Sequence, residues 1–203
     1  MMDVPPGLAG VAVAETAVGD VRGEEGFYHY RQYDACELAR SSTFEDVWQL
    51  LIDGALPADA AERAAFAAEV GALRALPGPV TSVIDALAPL RAPDAGLRSA
   101  IAAVGAARRL RPIGDLSPAE RRTDALAVAA VLPTAVAALY RRGHDHELVA
   151  PDPSRPVVED YLRQLLGDVP DPIAVRALEQ YLISTIDHGF NASTFTALSL
   201  IHI

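Results

Sequence analysis

The sequence predicts a mainly α-helical fold with a small β-hairpin at its entrance. Three observations lead there: 51% hydrophobic residues with only 6% aromatics, alanine runs such as Ala64-Ala65-Phe66-Ala67-Ala68, and apolar residues at helical spacing from residue 44 onward. Alanine is the best helix former because it has no side-chain freedom to lose, whereas a β-rich core draws on aromatic and β-branched side chains. With 203 residues and 22% charged residues, the chain can bury one sizeable core, and no repeat, linker or composition shift divides it.

Between Leu8 and Tyr33 the pattern suits two short strands. Val11 and Val13 precede a turn at Gly19-Asp20, and Gly23-Glu24-Glu25-Gly26 turns the chain into Phe27-Tyr28-His29-Tyr30. Asp34 to Arg40 reads as a short helix. Ser42-Thr43-Phe44-Glu45 resembles a helix start; Val47, Trp48, Leu50 and Leu51 supply its apolar stripe and Gly54 its stop. Further helices are expected over Pro57–Leu76, Pro79–Leu87 and Asp94–Leu110, the last opening on an acid and closing on Arg108-Arg109, as the helix dipole favours. Ser117-Pro118-Ala119-Glu120 combines a cap, an N1 proline and an acidic N3 residue ahead of a long apolar helix. Gly143–Ser154 is a loop, then Val157–Leu166 and Pro172–Asp187 are helices. In the second, Leu178, Tyr181, Leu182, Thr185 and Ile186 mark a buried face.

A net charge of −10 and a pI near 4.9 repel phosphate backbones, and no basic stripe with interleaved aromatics offsets this, so no nucleic acid is expected as a partner. All 17 basic residues are arginine, which with the abundant alanine fits a GC-rich bacterial genome. The single Cys36 excludes an internal disulfide and reads as a small buried apolar side chain. Met1–Gly7 lacks the basic and apolar regions of a secretory signal, so a cytoplasmic protein is expected. The apolar stretch Ala125–Tyr140, which contains Pro133, falls short of the about 20 residues of a membrane span and reads as a buried central helix kinked near the proline, with no membrane partner.

No phosphate-binding glycine loop, dinucleotide fingerprint, HExxH or cysteine-pair motif is present. His144-Asp145-His146-Glu147 has the residue types of a metal site but no partner ligands elsewhere, and reads as a solvated loop; no metal is expected. In Asp187-His188-Gly189-Phe190-Asn191-Ala192-Ser193-Thr194, an imidazole, a carboxamide and two hydroxyls crowd a helix junction. Free N–H groups at a helix start suit carboxylates, and a histidine with an asparagine suits a small diacid. A purely structural cap accounts for the same residues.

The run Tyr181–Ala197, centred on Asp187-His188-Gly189-Phe190-Asn191-Ala192-Ser193-Thr194, resembles the "DHxxNAST" segment of the citrate synthase family. Supporting matches, in the family's order, are Gly7–Val11, Gly23–Gly26 with Tyr30–Asp34, Asp94–Ala100, Leu132-Pro133-Thr134 and Pro151-Asp152-Pro153. The resemblance implies a citrate-synthase-like large helical domain over residues 1–197, forming a homodimer when complete. It implies oxaloacetate as the ligand of His188 and Asn191, with Ser193 and Thr194 behind them, acetyl-CoA as co-substrate and no cofactor. The family's aspartate base and its two further histidines lie in "GPxHGG"-like and "GxGHxxY"-like segments and beyond, none of which occurs in these residues; on this reading no catalytic residue is present and the fragment is inactive by itself. A 2-methylcitrate synthase using propionyl-CoA and a non-catalytic dicarboxylate-binding or dimerising module are the alternatives.

Leu198–Ile203 is also the translation of CTG TCT CTT ATA CAC ATC, a transposase end, and is expected to be a non-native tail on a truncated chain. Truncation predicts apolar surface left uncovered on Ala125–Tyr140 or Leu178–Ile186.

Overall fold

A computed structural model describes residues 15–190 and residue 193; Val11, Val13, Asn191, Thr194 and the 198–203 tail lie outside the described residues. The described chain is a helical body with one small antiparallel sheet. The sheet has three strands in the order β1 (Gly19–Arg22), β2 (Phe27–Tyr30) and β3 (Tyr33–Asp34). Gly19 pairs with Tyr30, and His29 with Asp34. Two strands were expected, and Gly19-Asp20 was expected to turn. Instead those residues begin β1; the turn expected at Gly23–Gly26 is present, over Gly23–Glu25 and closed by Gly26 at φ +65°, and β3 is too short to show alternation.

The helices are α1 (Ala35–Ser41), α2 (Phe44–Asp53), α3 (Ala60–Leu73), α4 (Gly78–Leu87), α5 (Pro93–Arg108), α6 (Pro118–Gly143), α7 (Val157–Leu166) and α8 (Pro172–Thr185). Their starts are written locally. Asp34 caps α1, Asp59 caps α3 and Asp171 caps α8; Thr43 with Asp46, and Ser117 with Glu120, form reciprocal capping boxes on α2 and α6. At the far end of α2, Gly54 adopts φ +94°, as the glycine stop requires.

Three apolar clusters hold the body together. Val80 and Ile84 of α4, Ala100 and Val104 of α5, and Val131, Ala135 and Leu139 of α6 make the first. Phe66 and Val70 of α3 meet Leu126 and Ala130 of α6 and Val157 of α7 in the second. Tyr30 of β2, Leu38 of α1, Val47 and Leu50 of α2, and Ile183 of α8 form the third, which is what docks the sheet. Each fully buried Val, Leu or Ile contributes about 1.5–3 kcal/mol.

α6 runs continuously through Pro133 for 26 residues, longer than the expected 125–140 core. By length and composition it is able to cross a membrane, but 50% of its most apolar window is buried among the neighbouring helices. Cys36 is exposed, contrary to expectation, because the buried face of α1 is Ala35, Leu38 and Ala39.

Candidate functional site

The helix carrying the candidate ligands ends at Thr185, two residues earlier than predicted, and the chain leaves it through Ile186, Asp187 and His188. The expected buried stripe is also corrected: Tyr181 and Thr185 are exposed, and the buried position of α8 is Ile183. An apolar stripe at helical spacing buries only where another element covers it, and here the cover stops at the sheet.

The carbonyls of the last turn of α8, among them those of Ile183 and Ser184, have no intrahelical partner, and two hydroxyls from β2 reach them. Tyr30 Oη lies 2.6 Å from the Ile183 carbonyl, to which it donates. Tyr28 Oη lies 2.9 Å from the Ser184 carbonyl, is in close contact with the Asp187 carbonyl, and sits 2.7 Å from Tyr30 Oη. Strand alternation makes this pairing possible, since residues two apart share a face. Burial, and then the Tyr28 hydroxyl, push the Tyr30 phenol far above its usual range, so the Tyr30 phenol stays protonated as a donor.

Beyond these caps the turn is held by its own groups. Gly189 donates its N–H to Asp187 Oδ2 at 3.1 Å and adopts φ +82°, a conformation that favours glycine. A Cβ on Gly19 of β1 would meet the end of the same carboxylate, so β1 lies close against the turn. His188 projects from this frame exposed, and its ring makes no hydrogen bond among the described residues. Ser193 is helical and exposed. Asn191 and Thr194 lie outside the described residues, so of the predicted ligands only His188 has a described position, with Ser193 as the described residue expected behind them. The turn therefore presents an imidazole, unengaged among the described residues, at a helix end where the Ile183 and Ser184 carbonyls are satisfied.

The other singled-out cluster behaves differently. His144 Nδ1 lies 2.8 Å from the Tyr140 carbonyl and its ring rests on Tyr140, while Arg142 reaches both Asp85 and Glu147. Among the described residues no group of three His, Cys, Asp or Glu is placed to hold a metal.

Two features were not legible from motifs. An apolar groove of about 760 Å³ runs beside the turn, lined by Trp48 of α2, Leu132, Pro133 and Val136 of α6, Tyr161 of α7, and Leu178, Leu182 and Ile186 from α8 onward, with Asp187 at its border. Second, Arg74 is 2% exposed and faces Asp160 at 3.5 Å and Glu45 at 4.0 Å, donating also to the Asp152 and Arg155 carbonyls. Asp160 in turn accepts from Arg163, Gln164 and the Asp152 N–H, and Glu45 from the Val157 N–H. This ties α2, α7 and the 150–156 loop behind the groove.

The family model described as "Citrate synthase, C-terminal domain" matches residues 7–200, nearly the whole chain and all of the turn. The chain belongs to the citrate synthase family. It is 37% identical over 195 residues to the 2-methylcitrate synthase of Mycobacterium tuberculosis, covering 96% of this chain and 48% of that protein. It is 33% identical over 200 residues to the citrate synthase of Deinococcus radiodurans, covering 98% and 52%. Its fold matches that of the Thermoplasma acidophilum citrate synthase, solved as a ternary complex with carboxymethyl coenzyme A and oxaloacetate, with a TM-score of 0.84 over 96% of this chain and 50% of that one, at 22% identity. The chain thus spans about half the length of the citrate and 2-methylcitrate synthases it matches.

Proposed function

We propose that this chain carries the oxaloacetate-binding turn of an enzyme that condenses an acyl-CoA with oxaloacetate and water to a tricarboxylate and free CoA. His188 and Asn191 hold the diacid by hydrogen bonds to its carboxylates, with Ser193 and Thr194 behind them. In the complete enzyme the acyl α-carbon loses a proton, the resulting enol adds to the oxaloacetate ketone, and water cleaves the thioester; the reading calls for no metal or resident cofactor. The observation that carries it is family membership across the very segment that holds His188. The exposed, unengaged ring of His188 at a capped helix end supports it. A charged hydrogen bond from an imidazolium to a carboxylate contributes about 1.5–3 kcal/mol.

Acetyl-CoA is the preferred acyl donor on this reading, giving citrate. The Mycobacterium tuberculosis relative, named 2-methylcitrate synthase, favours propionyl-CoA as a second possibility. The groove over Leu132, Val136 and Leu182 is read as the seat of the part of the fold that the relatives have and these 203 residues do not, including the acyl-CoA-binding and proton-abstracting groups. The assembled enzyme is proposed to be a cytoplasmic homodimer. A thiol-release assay on the complete gene product, with oxaloacetate and either thioester, tests the reaction. Release with acetyl-CoA favours citrate, release with propionyl-CoA alone favours 2-methylcitrate, and no release with either removes the enzymatic reading.

A further inference from the structure

We propose that Tyr28 and Tyr30 are positioning residues of the dicarboxylate turn: their hydroxyls cap the carboxyl end of α8, fix the exit angle of Asp187–Gly189, and shield a dianion from the helix carbonyls. The inference rests on the oxaloacetate reading of His188.

The argument begins with what an uncapped helix end does. The last carbonyls of a helix have no intrahelical partner and carry the negative end of the macrodipole, equivalent to roughly half an elementary charge. A diacid held by a side chain three residues past Thr185 sits close to that negative end. In α8 the carbonyls of Ile183 and Ser184 lie in that last turn, so they are satisfied by something else or face the ligand. Tyr30 takes Ile183, and Tyr28 bridges Ser184 and Asp187, one carbonyl inside the helix and one in the turn itself. Because a phenol has a single proton, Tyr28 shares it between those two oxygens and so links helix end to turn. Gly19 of β1 lies close against the Asp187 carboxylate and so brings that strand against the turn. The sheet, which buries Tyr30 completely but leaves β1 largely exposed, is thereby read as a brace for one turn.

The groups facing this cap are few. Asp187 is the nearest carboxylate, already engaged by the Gly189 N–H, and His29 on the same strand points to the other face, stacked on Phe27.

Hydrogen exchange and oxaloacetate binding on the parent, Tyr28→Phe and His188→Ala proteins test this. Tyr28→Phe is expected to speed amide exchange at residues 186–189 by about tenfold, leaving α4 and α6 at parental protection, and to weaken oxaloacetate by about fivefold. A faster exchange spread evenly over α4 and α6 marks a merely structural loss and overturns the proposal, as does unchanged exchange at 186–189. Parental affinity in Tyr28→Phe, when the parent binds and His188→Ala does not, overturns it too. If the parent itself does not bind oxaloacetate, the functional reading of His188 fails, and the exchange pattern alone decides whether the tyrosines hold the turn.

Discussion

His188 is exposed and takes no hydrogen bond among the described residues, while its neighbours hold the turn: Gly189 supplies the left-handed backbone, Asp187 a local acceptor, and Tyr28 and Tyr30 the helix cap. Replacing it should therefore cost binding and not folding. His188→Ala is expected to weaken oxaloacetate by about 1–3 kcal/mol with an unchanged melting temperature, as calorimetric titration and thermal unfolding will measure. Arg74 is the opposite case. Removing it leaves the buried carboxylates of Asp160 and Glu45 without their shared cation, so Arg74→Ala should destabilise by about 3–5 kcal/mol in chemical denaturation. Burial raises the Glu45 carboxyl above 4.5, against the Val157 N–H and Arg74, with Glu179 adding to the rise. A carboxyl whose folded pKa is raised contributes stability below its unfolded pKa, and that contribution is lost as pH climbs through the folded value. Glu45→Gln keeps the acceptor for Val157, so its stability relative to the parent should grow between about pH 4 and neutrality; a gap that shrinks over that window contradicts this. The candidate histidine could be singled out in the sequence because its motif is contiguous. The tyrosine cap could not, since Tyr28 meets Ser184 across 156 positions and no local pattern records that distance.

At the scale of elements, what was legible was whatever the chain writes locally. Thr43, Asp34 and Ser117 announce their helices, and those starts agree with expectation to within a residue or two. The ends of α3 and α8 were overestimated because alanine-rich and apolar periodicity continues past the last hydrogen-bonded turn. β3, two residues long, exists through pairing with β2 and carries no pattern of its own. Helix packing also turns on two glycines. Gly71 of α3 lies against the backbone carbonyl of Pro153, whereas a Cβ on Gly96 of α5 would meet the end of the Leu139 side chain, Cδ2 at 2.7 Å and Cδ1 at 3.4 Å, which can give way more readily than backbone. Alanine gains about 1 kcal/mol over glycine in a helix interior. Gly96→Ala should then be near neutral, and Gly71→Ala clearly destabilising as α3 is pushed off the 150–156 loop; equal melting temperatures for the two variants contradict this packing.

At the scale of the whole molecule, the groove is the feature that sequence pattern foreshadowed only as uncovered apolar surface. It opens on Leu132, Val136 and Leu182, residues from within the two stretches expected to be exposed. Single exposed apolar residues are ordinary, whereas a contiguous apolar groove of about 760 Å³ is the kind of surface on which a partner surface docks. The protein should bind an apolar reporter dye, and Leu182→Glu should lower that fluorescence while leaving the α4–α5–α6 cluster intact by hydrogen exchange. The central claim concerns the turn beside that groove, and it is tested most directly by titrating oxaloacetate while following the ring resonances of the five histidines. A saturable shift at His188, with His29 and His144 unmoved, is the result predicted. A His188 ring that stays in place through millimolar oxaloacetate, or histidines that all move together, would contradict it.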